Sequence, residues 1–217
     1  MTAGRHLALF ATVVVLVVLG IAIVDVPLAR WLKQYNETAL RDVFGVITHV
    51  GVSTYYLITS FVLFVVFMAL ARRRAPRLRR AAYQALFVFS AIAAAVPVNL
   101  LKIAIGRARP RLLFREDLTG FYPFGLEYDY WSLPSGHAAT IVALTMAFYF
   151  LWPRYRYLYL AVAVLVCASR VIITAHYFAD VVAGAYVAFL GVLLARAIFV
   201  GRGLDVFAEP GAPPGAH

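Results

Sequence analysis

Residues 82–110 read AYQALFVFSAIAAAVPVNLLKIAIGRARP. Positions 82–101 carry no charged side chain, and an α-helix needs about 20 apolar residues to cross the hydrocarbon core of a bilayer. The run then ends on Lys102 and, seven positions later, Arg109-Pro110. A membrane-length helix leading straight into cations predicts an integral membrane protein. It also marks where the chemistry lies, because charge beside lipid is retained only for a reason.

The rest of the chain agrees. Of its 217 residues 64% are hydrophobic and only 14% charged, outside the range of soluble globular domains. Further apolar segments fall at roughly 7–24, 52–71, 138–152, 158–174 and 181–200, giving six predicted transmembrane helices with 82–101. The segments at 138–152 and 158–174 are short, which puts their ends at or just below the interface. The expected fold is all-α and polytopic, with a membrane domain over residues 1–200. A short disordered cytoplasmic tail, 201–217, with Gly, Ala and Pro near its end, is expected to follow. Asp25-Val26-Pro27 offers no small-x-small cleavage site, so the first apolar segment reads as an uncleaved helix.

The formal net charge is +10. In a soluble protein that balance suggests nucleic acid; here the expected partners are the bilayer's anionic headgroups and phosphate groups, and no nucleic acid. Six of the arginines lie in Arg72–Arg80, which the positive-inside rule places in the cytoplasm. Both termini are then cytoplasmic, and the loops at 25–51, 102–137 and 175–180 face outward. The single Cys167 sits in an apolar run, so no intramolecular disulfide is available. The sequence carries no signal for oligomeric state.

Two more stretches join Lys102 and Arg109: Pro134-Ser135-Gly136-His137, and Ser169-Arg170 followed by His176 and Asp180. Lys102, Arg109 and His137 share one loop between the third and fourth predicted helices. Two further crossings return the chain to the same side before His176, so parity allows a single site at the outward helix ends. Lys102, Arg109 and Arg170 supply three cations suited to the equatorial oxygens of a phosphoryl group. Gly136, at a helix start after Pro134, permits close backbone approach of an anion. The Ser135 hydroxyl either donates to an oxygen or caps the helix. His176 and Asp180 are four apart, hence on one face of a helix, the arrangement of a base and its orienting carboxylate.

The pattern K-x6-R-P, P-S-G-H, S-R-x5-H-x3-D closely resembles the type-2 phosphatidic acid phosphatase family, whose membrane branch comprises lipid phosphatases. The resemblance spans residues 102–180. It implies that His176 is the nucleophile that becomes a phosphohistidine and that Asp180 orients it. By the same resemblance His137 protonates the leaving oxygen and then activates water, while Lys102, Arg109, Ser135, Gly136 and Arg170 bind the phosphoryl group. The implied enzyme is a metal-independent phosphoric ester or diphosphate hydrolase of the cell membrane, with no cofactor and its site on the periplasmic or extracellular side. Undecaprenyl diphosphate is the expected lipid substrate. Phosphatidylglycerol phosphate, phosphatidic acid and the phosphates of lipid A are the alternatives. A lipid phosphotransferase using the same intermediate, a haloperoxidase, and a non-catalytic lipid-binding or transport protein are the competing readings.

Other polar residues are given ordinary roles. Arg107 and Arg111, flanking Arg109, are expected to be solvated or to touch headgroups, with assistance to a second phosphate group as the alternative. Glu116, Asp117, Glu127 and Asp129 have the irregular spacing of a solvated loop. His6 and His49 belong to no motif. The aromatics of 111–131 suit either the lateral entry of a substrate anchored by acyl or prenyl chains or an interfacial lid without selectivity, and Pro97 with Asn99 is expected to relax or kink the third helix.

Overall fold

A computed structural model describes residues 3–71, 75–204, 206 and 207. Arg72, Arg73 and Arg74 lie outside the described residues, as do residues 208–217 of the expected tail.

Among the described residues ten α-helices follow one another: α1 (Ala3–Leu19), α2 (Asp25–Lys33), α3 (Ala39–Ile47), α4 (Ser53–Leu70), α5 (Pro76–Ala93), α6 (Val98–Ile105), α7 (Pro110–Glu116), α8 (Gly136–Leu151), α9 (Arg156–Ile172) and α10 (Phe178–Gly201). No β-strand occurs among the described residues. Each of the six apolar segments is largely helical, 82–101 being broken by a turn between α5 and α6. Among the described residues five helical stretches are long and apolar enough to cross a membrane: Gly4–Lys33, Ala39–Leu70, Pro76–Ile105, Pro153–Ile172 and Phe178–Gly201. Gly136–Leu151 is a shorter apolar helix. The 25–51 stretch, expected to be a loop, is largely helical, because α2 continues the first membrane helix and α3 leads into α4.

Local chemistry explains the joints. Pro76 and Pro110 stand at the first positions of α5 and α7, where a missing N–H leaves nothing unsatisfied. Pro97 ends a turn between α5 and α6, the break expected of a proline in a helical run. α6 stops at Gly106, which is left-handed (φ 63°) and packs so tightly on the Tyr122 carbonyl that no Cβ fits. Between α1 and α2, Gly20–Val24 form a π-turn in which the Asp25 N–H donates to the Gly20 carbonyl, five residues back.

The short α8 is the central helix. Its Ala138, Ala139, Ala143 and Ala147 are fully enclosed, and it packs against α5, α9 and α10. Small residues line the facing seam of α10. A Cβ on Gly184 would stand 2.4 Å from the Ser135 carbonyl oxygen, and one on Gly191 would meet Ala94 at 3.1 Å. Such residues let membrane helices approach closely where burial of apolar surface supplies little drive. By contrast α1 and α4 expose Leu7, Phe10, Val18, Ile58, Phe61 and Val65, the faces that hydrocarbon covers.

The chain stays packed past Gly201, where the sequence places a disordered tail. Val206 and Phe207 are buried. The Phe207 ring meets Phe87 edge to face with centroids 4.8 Å apart, and Gln84 Nε2 donates to the Val206 carbonyl at 3.3 Å. Two apolar side chains thus close the end of the bundle between α5 and α10.

Candidate active site

At one end of this bundle α6, α8, α9 and α10 bring their polar ends together. A cavity of about 200 Å³ is lined by Lys102, Arg109, Gly136, His137 and His176, with Asn99 and Tyr128 also on its wall. Five of the eight residues singled out from sequence therefore share one space. Ser135, Arg170 and Asp180 sit immediately behind it.

Each side chain has a visible anchor. Arg109 caps α7, and its N–H donates to the Asp129 carbonyl at 2.9 Å. Its Nη2 donates to the Trp131 carbonyl at 3.0 Å, and its guanidinium lies 4.0 Å from the Tyr128 ring centroid. The Leu133–Pro134 peptide is cis. Ser135 then caps α8, its Oγ accepting from the Ala138 N–H at 3.5 Å, while its own N–H donates to the Asp180 carbonyl at 2.8 Å. Ser135 is wholly buried, so of its two expected roles the structure displays the cap. Gly136 lets Lys102 come close, since a Cβ there would stand 3.3 Å from Nζ. His137 is pressed from behind by Gly51 of the Thr48–Gly51 turn, where an added Cβ would sit 2.9 Å from both its Cβ and Cδ2. Arg170 Nη1 donates to Thr48 Oγ1 of the same turn at 2.6 Å.

His176 is presented by a tight turn after α9. The N–H groups of Ala175 and His176 both donate to the Arg170 carbonyl at 3.1 Å. Thr174 adopts φ 53°, a strained choice for a β-branched residue, and its hydroxyl is held by Asn36 Nδ2 at 3.1 Å. His176 Nδ1 lies 3.6 Å from Asp180 Oδ2 and has no hydrogen-bond partner among the described residues. That separation is longer than a hydrogen bond. Asp180 is itself held by other donors: Oδ2 accepts from Ser132 Oγ (2.5 Å) and from the Tyr177 N–H (2.9 Å), and Oδ1 from Arg107 Nη1 (2.6 Å). Burial pushes the His176 imidazole down to about 4; Asp180 opposes the shift, and the Arg109 and Arg170 charges add to it. The ring is neutral at physiological pH.

Arg107 corrects the sequence reading. It is buried, not solvated, and bridges Asp180 to Asp25, with Nη2 donating to Asp25 Oδ2 at 2.8 Å. Burial works against its charge, but the two carboxylates more than offset this and raise its pKa. Arg111 pairs with Asp129 on the rim and stacks over Tyr128. Asp117 pairs with Arg30 on the exposed surface. Ser169 bonds back to the Val166 carbonyl and His49 to the Gly45 carbonyl, ordinary roles for both. Sequence reasoning missed Asp25, Thr48 and Ser132. An acid just past an apolar run is the one signal that pointed to Asp25.

A family model described as the PAP2 superfamily matches residues 83–203. The chain is 33% identical over 176 residues to a lipid A 1-phosphatase of Rhizobium johnstonii, covering 77% of this chain and 70% of that protein. It is 32% identical over 176 residues to a lipid A 1-phosphatase of Rhizobium etli, covering 77% and 74% respectively. Among solved structures it resembles a transmembrane PAP2-type phosphatidylglycerolphosphate phosphatase from Bacillus subtilis. The TM-score is 0.64 at 22% identity, over 90% of this chain and 96% of that one.

Proposed function

Because this chain belongs to the PAP2 superfamily and is a multi-pass membrane lipid phosphatase, we propose that it hydrolyses a lipid phosphomonoester through a phosphohistidine on His176, with the 1-phosphate of lipid A as substrate. The observation that carries this reading is the cavity itself. Lys102, Arg109, His137 and His176 face one space, while the neighbouring cations Arg107 and Arg111 are already neutralised by carboxylates. One phosphoryl group is provided for, and the residues weighed for a second phosphate are engaged elsewhere. That ranks undecaprenyl diphosphate below a monoester, and the names of the two Rhizobium relatives favour the glycosyl phosphate of lipid A.

In the proposed reaction the neutral His176 turns Nδ1 toward Asp180 and attacks phosphorus through Nε2. The N–P bond forms as the P–O bond to the lipid breaks, and His137, carrying a proton taken up together with the phosphate anion, gives it to the leaving oxygen. His137 then takes a proton from water as that oxygen attacks phosphorus, and inorganic phosphate leaves with His176 restored. Lys102, Arg109 and Arg170 offset charge on the equatorial oxygens, and Gly136 admits the group to the α8 N-terminus. These cations supply what a metal ion supplies in other phosphatases, so the proposed reaction needs none. The outward orientation expected from the arginine block belongs to the same proposal.

The test is phosphate release by the purified protein in detergent with chelator present. The panel is lipid A, phosphatidylglycerol phosphate, phosphatidic acid and undecaprenyl diphosphate. Release from lipid A at the 1-position, abolished in His176→Ala, is the expected result. Undiminished turnover by that variant would remove the nucleophile assignment, and a phosphorylated lipid product in place of phosphate would make the enzyme a transferase.

A further inference from the structure

The region matched by the family model begins at residue 83, yet a carboxylate at the start of α2 closes the ionic network behind the site. Asp25 is 1% exposed. Its Oδ2 accepts from Arg107 Nη2 at 2.8 Å, and its Oδ1 accepts from the Ala179 N–H at 3.1 Å. Ala179 immediately precedes Asp180, whose Oδ1 accepts from the other Arg107 nitrogen, Nη1, at 2.6 Å. Asp25 therefore grips both the guanidinium that holds Asp180 and the backbone that carries it. Neither Asp25 nor Arg107 lines the cavity.

We infer that Asp25 and Arg107 are positioning residues for the hydrolytic step, fixing the Asp180 carboxylate to which the His176 imidazole turns, without touching substrate. The inference rests on the proposed role of His176. Two carboxylates on one buried guanidinium are expensive to desolvate, and removing one partner leaves an uncompensated charge. Only a guanidinium can fork between two acids in this way; an ammonium would reach them as a point charge. With Oδ1 held by Arg107 and Oδ2 by Ser132 and the Tyr177 N–H, the carboxylate has one orientation, set before substrate arrives. The His176 ring is faced by Asp180 of α10, Arg109 at the start of α7, Arg170 of α9 and His137 of α8. Arg107 and Asp25 act on it through the first of these.

The experiment is a double-mutant cycle with Asp25→Asn, Arg107→Gln and both together, in the full-length protein, reading kcat and KM on a lipid phosphomonoester across pH. Each single change is expected to lower kcat at least about ten-fold with KM within about three-fold, and the double variant to be no worse than Arg107→Gln. Loss of the cation in Arg107→Gln should move the acid limb of kcat/KM to higher pH, and loss of the anion in Asp25→Asn should move it lower. Substrate ionisation is common to all variants and cancels. A purely architectural role would lower activity without opposed displacements. Near-normal kcat in Asp25→Asn, or additive losses, would overturn the inference. Should Asp25→Asn not accumulate as folded protein, Arg107→Lys decides: reduced kcat at unchanged KM supports it, unchanged kcat refutes it. If wild-type protein releases no phosphate, or His176→Ala retains activity, the proposed function fails instead.

Discussion

Gly51→Ala tests how firmly His137 is held. A Cβ at position 51 would stand 2.9 Å from His137 Cβ and Cδ2 and 3.2 Å from Cγ, against ~3.5–4.0 Å for relaxed carbon contacts. The imidazole therefore has to retreat by roughly 0.6–1 Å, and because Cβ itself is struck, rotating the ring tip does not relieve the clash. An error of that size in a reacting group costs on the order of 100-fold in rate, while overpacking one methyl costs about 1–3 kcal/mol of stability. The assay is phosphate release from the lipid substrate, with thermal unfolding followed in parallel. The expected result is a kcat 10- to 100-fold down with KM little changed. Gly45→Ala is the control, since nothing lies within 4 Å of its added Cβ; it should behave as wild type. If Gly51→Ala kept kcat within about two-fold of wild type, His137 would not be acting from the place where Gly51 confines it.

Three further outcomes follow from the same geometry. Thr48→Val removes the hydroxyl that accepts from Arg170 Nη1 at 2.6 Å; a buried charged hydrogen bond of about 1.5–3 kcal/mol is lost, so KM for the lipid phosphate should rise about ten-fold or more, measured by steady-state kinetics. The folded pKa of His176, about 4 against the ordinary 6.5, means that its contribution to stability is full above pH 6.5 and is lost as pH falls toward 4. The unfolding temperature of wild-type protein should thus drop more steeply over that window than that of His176→Gln, and parallel curves would refute the buried neutral imidazole. Phe207→Ala should lower stability by about 3–5 kcal/mol through the cavity left against Phe87, with kcat unchanged in the phosphate assay.

What the sequence made legible, and what it hid, divides along chain distance. The membrane helices were readable because apolar runs of the required length announce themselves, and Lys102, Arg109, Gly136, His137 and His176 because crossing parity returns them to one side. Thr48 and Asp25 were not readable. Their partners lie 122 and 82 positions away, Arg170 for the former and Arg107 for the latter, and no local pattern reports such pairings. Arg107 looked like a surface arginine because nothing in its neighbourhood in sequence supplies two carboxylates. Val206 and Phe207 were hidden differently: two apolar residues before a Gly- and Pro-rich end carry no periodicity, and only the gap beside Phe87 and Phe199 gives them a place.

The wide turn at Gly20–Val24 makes the first helix a phase-setting element. A π-turn holds one residue more than the α-helical path, so everything after it is rotated by about 100° relative to an uninterrupted helix. Losing a single residue inside the turn would straighten the helix and leave Asp25 in place, whereas losing one beside it would swing Asp25 off the bundle interior toward lipid. The anchoring of Arg107 is therefore encoded in residue count as much as in residue type, since the same one-residue deletion is absorbed inside the turn and not beside it.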